Sequence, residues 1–102
     1  MRKHPSLALE LSNMANQKEF TIKNKLGLHA RAAAQFVKTA NRYNSEVKIS
    51  KDSITANGKS IMGVLTLAAA CGSTVKVSCE GFDSDEALSA LEGLIEAKFG
   101  ED

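Results

Sequence analysis

The chain has 102 residues, with 13 Lys and Arg against 12 Asp and Glu, a formal net charge of +1. One domain of this size buries roughly 60–65% of its unfolded surface, and a hydrophobic content of 43% is ordinary for a single core. The charge balance excludes a general electrostatic grip on nucleic acid, and four Phe, one Tyr and no Trp leave few platforms for stacked bases.

Cys71 and Cys79 lack Cys-x-x-Cys spacing, so they read as reduced, small hydrophobic residues in a cytoplasmic chain rather than as ligands. No run of the chain approaches a membrane span. Arg2 and Lys3 precede Leu7-Ala8-Leu9, but Glu10 interrupts the apolar stretch and rules out a signal peptide.

Residues 1–16 share no pattern with the rest of the chain. They fit a mobile extension or an upstream start, since Met14 opens a natural beginning just before the first strand. A short helix over Ser6–Leu11 is the less favoured alternative, and His4 receives no role.

Glu19 to Lys23 alternates apolar and polar residues, as a half-buried strand does. Asn24 to Gly27 is a loop. A helix comes next, because Ala33, Phe36, Val37 and Ala40 recur at i, i+3, i+4 and i+7 and give one core-facing stripe. Residues 46–50 alternate again, Lys51-Asp52 turns the chain, and residues 53–56 return as a short strand. Ser60 caps a second helix, predicted from Ile61 to about Ala70 and stopped by Gly72. Residues 74–79 form the fourth strand. Asp83 with Glu86 reads as a capping box for a last helix, whose stripe is Leu88, Leu91, Leu94, Ile95 and Phe99.

The order is therefore β-α-β-β-α-β-α. The first crossover makes strands one and two parallel, and strand four slotted between them makes the sheet antiparallel. The predicted class is α+β, an open-faced sandwich with three helices on one face of a four-stranded antiparallel sheet.

His29 falls at the start of the first helix, where free backbone N–H groups and a positive dipole end favour a phosphate. Arg31 adds a planar fork of donors suited to a phosphoryl group, and the Ala30 and Arg31 amides are the expected backbone donors. An imidazole must be neutral to attack phosphorus, and both the helix end and Arg31 disfavour the imidazolium. This is the chemistry of a phosphohistidine relay, whose site has to be shallow.

Asn24-Lys25-Leu26-Gly27-Leu28-His29-Ala30-Arg31-Ala32-Ala33 and Asn57-Gly58-Lys59-Ser60-Ile61-Met62-Gly63-Val64 resemble the two signature stretches of the HPr family. These proteins are the histidine-containing phosphocarriers of the bacterial phosphotransferase system. The resemblance covers residues 17 to 100 and makes 17–102 the carrier domain. It implies that His29 accepts a phosphoryl group on Nδ1 from phospho-enzyme I and donates it to enzyme II A components. It further implies Arg31 as phosphate clamp, no cofactor and no metal, and a stoichiometrically phosphorylated carrier rather than an enzyme, working as a monomer.

In part of the family the residue matching Ser60 is phosphorylated by a kinase, HPr kinase/phosphorylase, so Ser60 stands either as a plain N-cap or as a regulatory site. Ile61 and Met62 stand either in the core or as a docking patch, Met being suited to varied partners. Two departures from the family are visible. Ala32 replaces the usual proline, which is expected to loosen preorganisation and add an N–H near the phosphate. Leu26 stands where relatives often carry a small polar residue.

A nitrogen-related or purely regulatory branch remains as the alternative within the fold. Binding of RNA or a small ligand is remote, since a Gly-x-x-Gly clamp, an aromatic strand pair and a basic face are all missing.

Overall fold

The computed structural model describes residues 15–101. The extension expected over residues 1–16 lies, up to residue 14, outside the described residues, as does His4. Alternating side chains build four strands: β1 (Ala15–Thr21), β2 (Glu46–Lys51), β3 (Ile54–Asn57) and β4 (Thr74–Glu80). β1 starts earlier than the predicted Glu19 and ends before Lys23, because Ala15 already pairs with Glu80.

The sheet order is β1-β4-β2-β3 with every pair antiparallel, so β4 does lie between β1 and β2. Phe20, Val47, Ile49, Ala56, Val75, Val77 and Cys79 point into the core. Gln17, Lys48 and Lys76, on the opposite pleat, are exposed.

Three helices cover the inner face: α1 (Ala30–Ala40), α2 (Ile61–Leu65) and α3 (Ser84–Glu96). The predicted stripe of α1 is buried as Ala33, Phe36, Val37 and Ala40, with Ala32 added. Val64 from α2 and Ala87, Leu91 and Ile95 from α3 complete the same core.

Three expectations are corrected. First, α2 stops at Leu65 rather than near Ala70. The Thr66 hydroxyl donates to the Gly63 carbonyl at 2.6 Å, and Ala68 takes φ 48. The Ala69 carbonyl accepts from Leu28 N–H at 2.8 Å. Tertiary contact here overrides the helix propensity of three alanines.

Second, Asp83 precedes α3 but makes no capping bond to it. Its carboxylate instead accepts from the backbone N–H groups of Asn44 (2.8 Å) and Ser45 (2.9 Å) and from the Ser45 hydroxyl (2.5 Å). The α1–β2 loop is thereby tied to the start of α3. These bonds, with the Ser45 hydroxyl first, hold the Asp83 carboxyl below the usual carboxylate range. A lowered folded pKa adds stability above the unfolded value that is lost as pH falls through the folded one. An Asp83→Asn variant is expected to melt below wild type at neutral pH, and the gap should shrink as pH falls below the ordinary carboxylate range. Thermal unfolding of both proteins from neutral to acidic pH checks this.

Third, Phe99 is buried but does not continue the helix. α3 ends at Glu96, and Lys98, Phe99 and Gly100 all take positive φ (58, 54 and 76). Left-handed backbone costs about 1–3 kcal/mol per non-glycine residue, and burying the Phe99 ring offsets it by about 1.5–3 kcal/mol.

Gly93, within α3, is different: it is exposed, and an added Cβ there meets nothing within 4 Å. Gly93→Ala should therefore stabilise the protein by about 0.5–1 kcal/mol, measurable as a higher urea midpoint at unchanged m-value.

Candidate phosphoryl site

Asn24 at the first position and Gly27 at the fourth form the turn after β1, closed by Gly27 N–H to the Asn24 carbonyl at 3.1 Å. Gly27 has φ +68, and a Cβ there would run into the carbonyl of Ala69 and the Cα of Ala70. Leu28, buried beside it, is pinned to Ala69 through its N–H. The next residue, His29, is thereby delivered in extended conformation to the N-cap of α1 (φ −81, ψ −177).

The His29 ring makes no bond to the helix it caps. Ala30 and Arg31, the first two helical residues, are exposed, and their N–H groups have no intrahelical acceptor. No acidic residue sits in that first turn. Ala32 is wholly buried, so the additional reachable N–H expected from the missing proline is not presented to solvent.

The ring's partner comes from the other end of the chain. His29 Nε2 lies 2.5 Å from Glu101 Oε2, and the Arg31 guanidinium lies 3.6 Å from the same oxygen. Buried Asn24 donates its side-chain amide to the Gly27 carbonyl at 2.7 Å and to Glu101 Oε1 at 3.1 Å. The Glu101 side chain is only 8% exposed, whereas that of His29 is 27% exposed. The hydrogen bonds from His29 and then Asn24 hold the Glu101 carboxyl below its ordinary value.

The expectation of purely positive surroundings for His29 omitted this carboxylate. An apolar anchor and a stop glycine before an acid, Phe99-Gly100-Glu101, was its only trace in the sequence. A contact spanning 72 residues leaves no local periodicity.

A shallow depression beside the ring is lined by Lys25, Leu26, Arg31, Gly100 and Glu101. Leu26 is 65% exposed at its rim. A second depression, among Gln17, Glu46, Lys48, Ser78 and Glu80, lies at the far end of the sheet and holds no imidazole.

The structure thus brings His29, Ala30 and Arg31 together, while Ser60, Ile61 and Met62 lie at the start of α2, which packs against α1. Ser60 caps α2, its hydroxyl accepting from Gly63 N–H at 3.0 Å. Ile61 and Met62 are exposed, Met62 at 72%.

A family model described as the PTS HPr component phosphorylation site matches residues 16–97. The phosphocarrier protein HPr of Cupriavidus necator is 49% identical over 85 residues, 83% of this chain and 96% of that one. The HPr-like protein Crh of Halalkalibacterium halodurans is 49% identical over 80 residues, 78% of this chain and 95% of that one. A crystal structure of HPr-C-His from Thermoanaerobacter tengcongensis superposes with a TM-score of 0.83 at 49% identity, over 85% of this chain and 98% of that one. An open-faced sandwich, a helix-capping histidine and these relatives lead to one conclusion: the chain belongs to the HPr family, the phosphocarriers of the phosphotransferase system.

Proposed function

We propose that His29 accepts the phosphoryl group on Nδ1 from phosphorylated enzyme I and passes it to enzyme II A components. The observation that carries this is the state of the ring. Nε2 is engaged by Glu101, no nitrogen is spent on capping, and exposed amides stand at the first turn of α1. With the proton on Nε2, the lone pair belongs to Nδ1.

The incoming phosphoryl oxygens carry close to two negative charges. The Ala30 and Arg31 N–H groups receive them at the positive end of the helix. The Arg31 guanidinium, 66% exposed, swings onto them as a clamp. The protein acts as a carrier and not as an enzyme, because the group it accepts leaves again to another protein. It works as a cytoplasmic monomer.

Ile61 and Met62 form the docking patch for the donor and acceptor proteins, with Leu26 at the rim of the site. Ser60 is a second, regulatory site for a serine kinase of the HPr kinase/phosphorylase type. A phosphate on Ser60 would place charge beside the apolar patch.

Incubation with phosphoenolpyruvate and enzyme I tests this reading. The expected product is one phosphate per chain, acid-labile and base-stable, mapped to His29. Label on another residue overturns it. Arg31→Ala should accept the group about tenfold more slowly with the fold intact, since one charge-assisted contact is lost; an unchanged rate removes Arg31 from the site.

A further inference from the structure

We propose that the segment preceding Ala15, which lies outside the described residues, doubles back onto the free edge of β1 as a fifth strand and seats Leu7 and Leu9 against the flank of α3. The occupant of that edge is this chain's own Ser6-Leu7-Ala8-Leu9-Glu10. The proposal is independent of the acceptor reading of His29.

The edge is long and open. β1 has seven residues and stands at the margin of the sheet, with β4 as its one neighbour among the described residues. Ile22 N–H, directly after β1, donates to the Ser73 carbonyl at 2.9 Å. The alternation of an antiparallel ladder therefore turns the backbone groups of Ala15, Gln17, Glu19 and Thr21 outward. Such a row of unpaired groups is a template for another strand.

The helix cover above this edge is also unfinished. Lys18 shares the inner pleat with buried Phe20, yet its side chain is 53% exposed. Leu88 of α3 is only partly buried. It lies three residues after Asp85, which accepts from the Asn16 amide at 2.6 Å, and four before Glu92, which accepts from Lys18 at 2.7 Å. Residues at that spacing share one helix flank, so Leu88 overhangs β1.

The preceding sequence matches what the edge lacks. Ala15 is already paired with Glu80, so the chain enters the edge strand straight after residue 14. A four-residue reversal over 11–14 has Ser12-Asn13 at its tip, two residues suited to turns. Glu10, Ala8 and Ser6 then oppose Ala15, Gln17 and Glu19, where the free backbone groups are, with their side chains toward solvent. Leu9 and Leu7 oppose Asn16 and Lys18 on the helix side, next to Leu88. A two-residue reversal over Asn13-Met14 keeps the leucines on the same side. Pro5, the single proline, falls where its missing N–H faces away from β1. A second copy fits this edge less well, because two-fold pairing about the middle of β1 sets Lys18 against Lys18.

The test uses the full chain, labelled with ¹⁵N and ¹³C. In wild type the Hα of Leu9 should lie in nuclear Overhauser contact with the Hα of Asn16. The Gln17 and Glu19 amides should be protected from hydrogen exchange. In a chain carrying both Leu7→Lys and Leu9→Lys, these two amides should exchange about tenfold or more faster. The Lys18 and Phe20 amides, turned toward β4, should keep their wild-type rates.

Unprotected Gln17 and Glu19 amides in wild type overturn the proposal, as do helical contacts within residues 6–11. Protection unchanged in the double variant overturns it too. Protection that appears only with a dimer mass in light scattering assigns the edge to a second copy and overturns it likewise. Should the double variant fail to fold, the Leu9–Asn16 contact in wild type decides alone.

Discussion

His29→Ala is expected to abolish phosphate uptake from phosphorylated enzyme I while leaving the protein folded. The first half rests on chemistry: among the described residues, His29 is the histidine, and it stands at a helix N-terminus with exposed residues at its side. Alanine offers phosphorus no nucleophile, and the remaining His4 should take no label. The second half rests on packing. The destabilisation usual for an N-cap replacement comes from losing a side-chain bond to the first turn, and His29 makes no such bond. The Leu28 N–H remains tied to Ala69, and the Ala33 N–H remains tied to the carbonyl of residue 29, since both bonds are backbone. Labelling and thermal unfolding of the same sample separate the two halves. Residual acid-labile phosphate, or a melting temperature far below wild type, contradicts the expectation.

Gly27→Ala should be costly in both respects. Its φ of +68 already penalises any side chain. The added Cβ would also be driven into backbone, the Ala69 carbonyl and the Ala70 Cα 2.9 Å away. Backbone cannot rotate aside as a side-chain end can. Strain and displacement together should remove about 3 kcal/mol or more, a large part of the 5–15 kcal/mol typical of a whole domain. Relief requires the 24–28 turn to lift off the 66–72 loop. That movement carries His29 away from Glu101, so phosphate acceptance should fall as well. Gly72→Ala is the control: φ is +93 but a Cβ meets nothing within 4 Å, so it should lose strain energy alone and keep its rate. Urea unfolding and initial labelling rates for the two variants decide it, and equal stability losses would disprove the contact argument.

Cys79 illustrates how burial can dominate reactivity. Burial, followed by the Asp83 charge, pushes its thiol up to about 11, in keeping with its reading as a small core residue. Cys71 is exposed, so only half of that reading holds.

Local pattern by itself determined the alternating strands, the stripe on α1, and a histidine at a helix start with an arginine two residues on. These properties are short-ranged: pleat period, helix period and the geometry of a capped end act within a few residues. Ser60 as the cap of α2 was legible for the same reason.

Tertiary structure alone decided where α2 stops, because the Ala69 carbonyl is claimed by Leu28 from across the molecule. It also sent Asp83 to Ser45 instead of its own helix. Above all, it brought Glu101 to His29 through a left-handed turn that Phe99 holds down, and set Asn24 beneath that carboxylate. Residues 72 and 77 positions apart meet only when the whole sheet and its helices have packed, and no local rule encodes such a meeting.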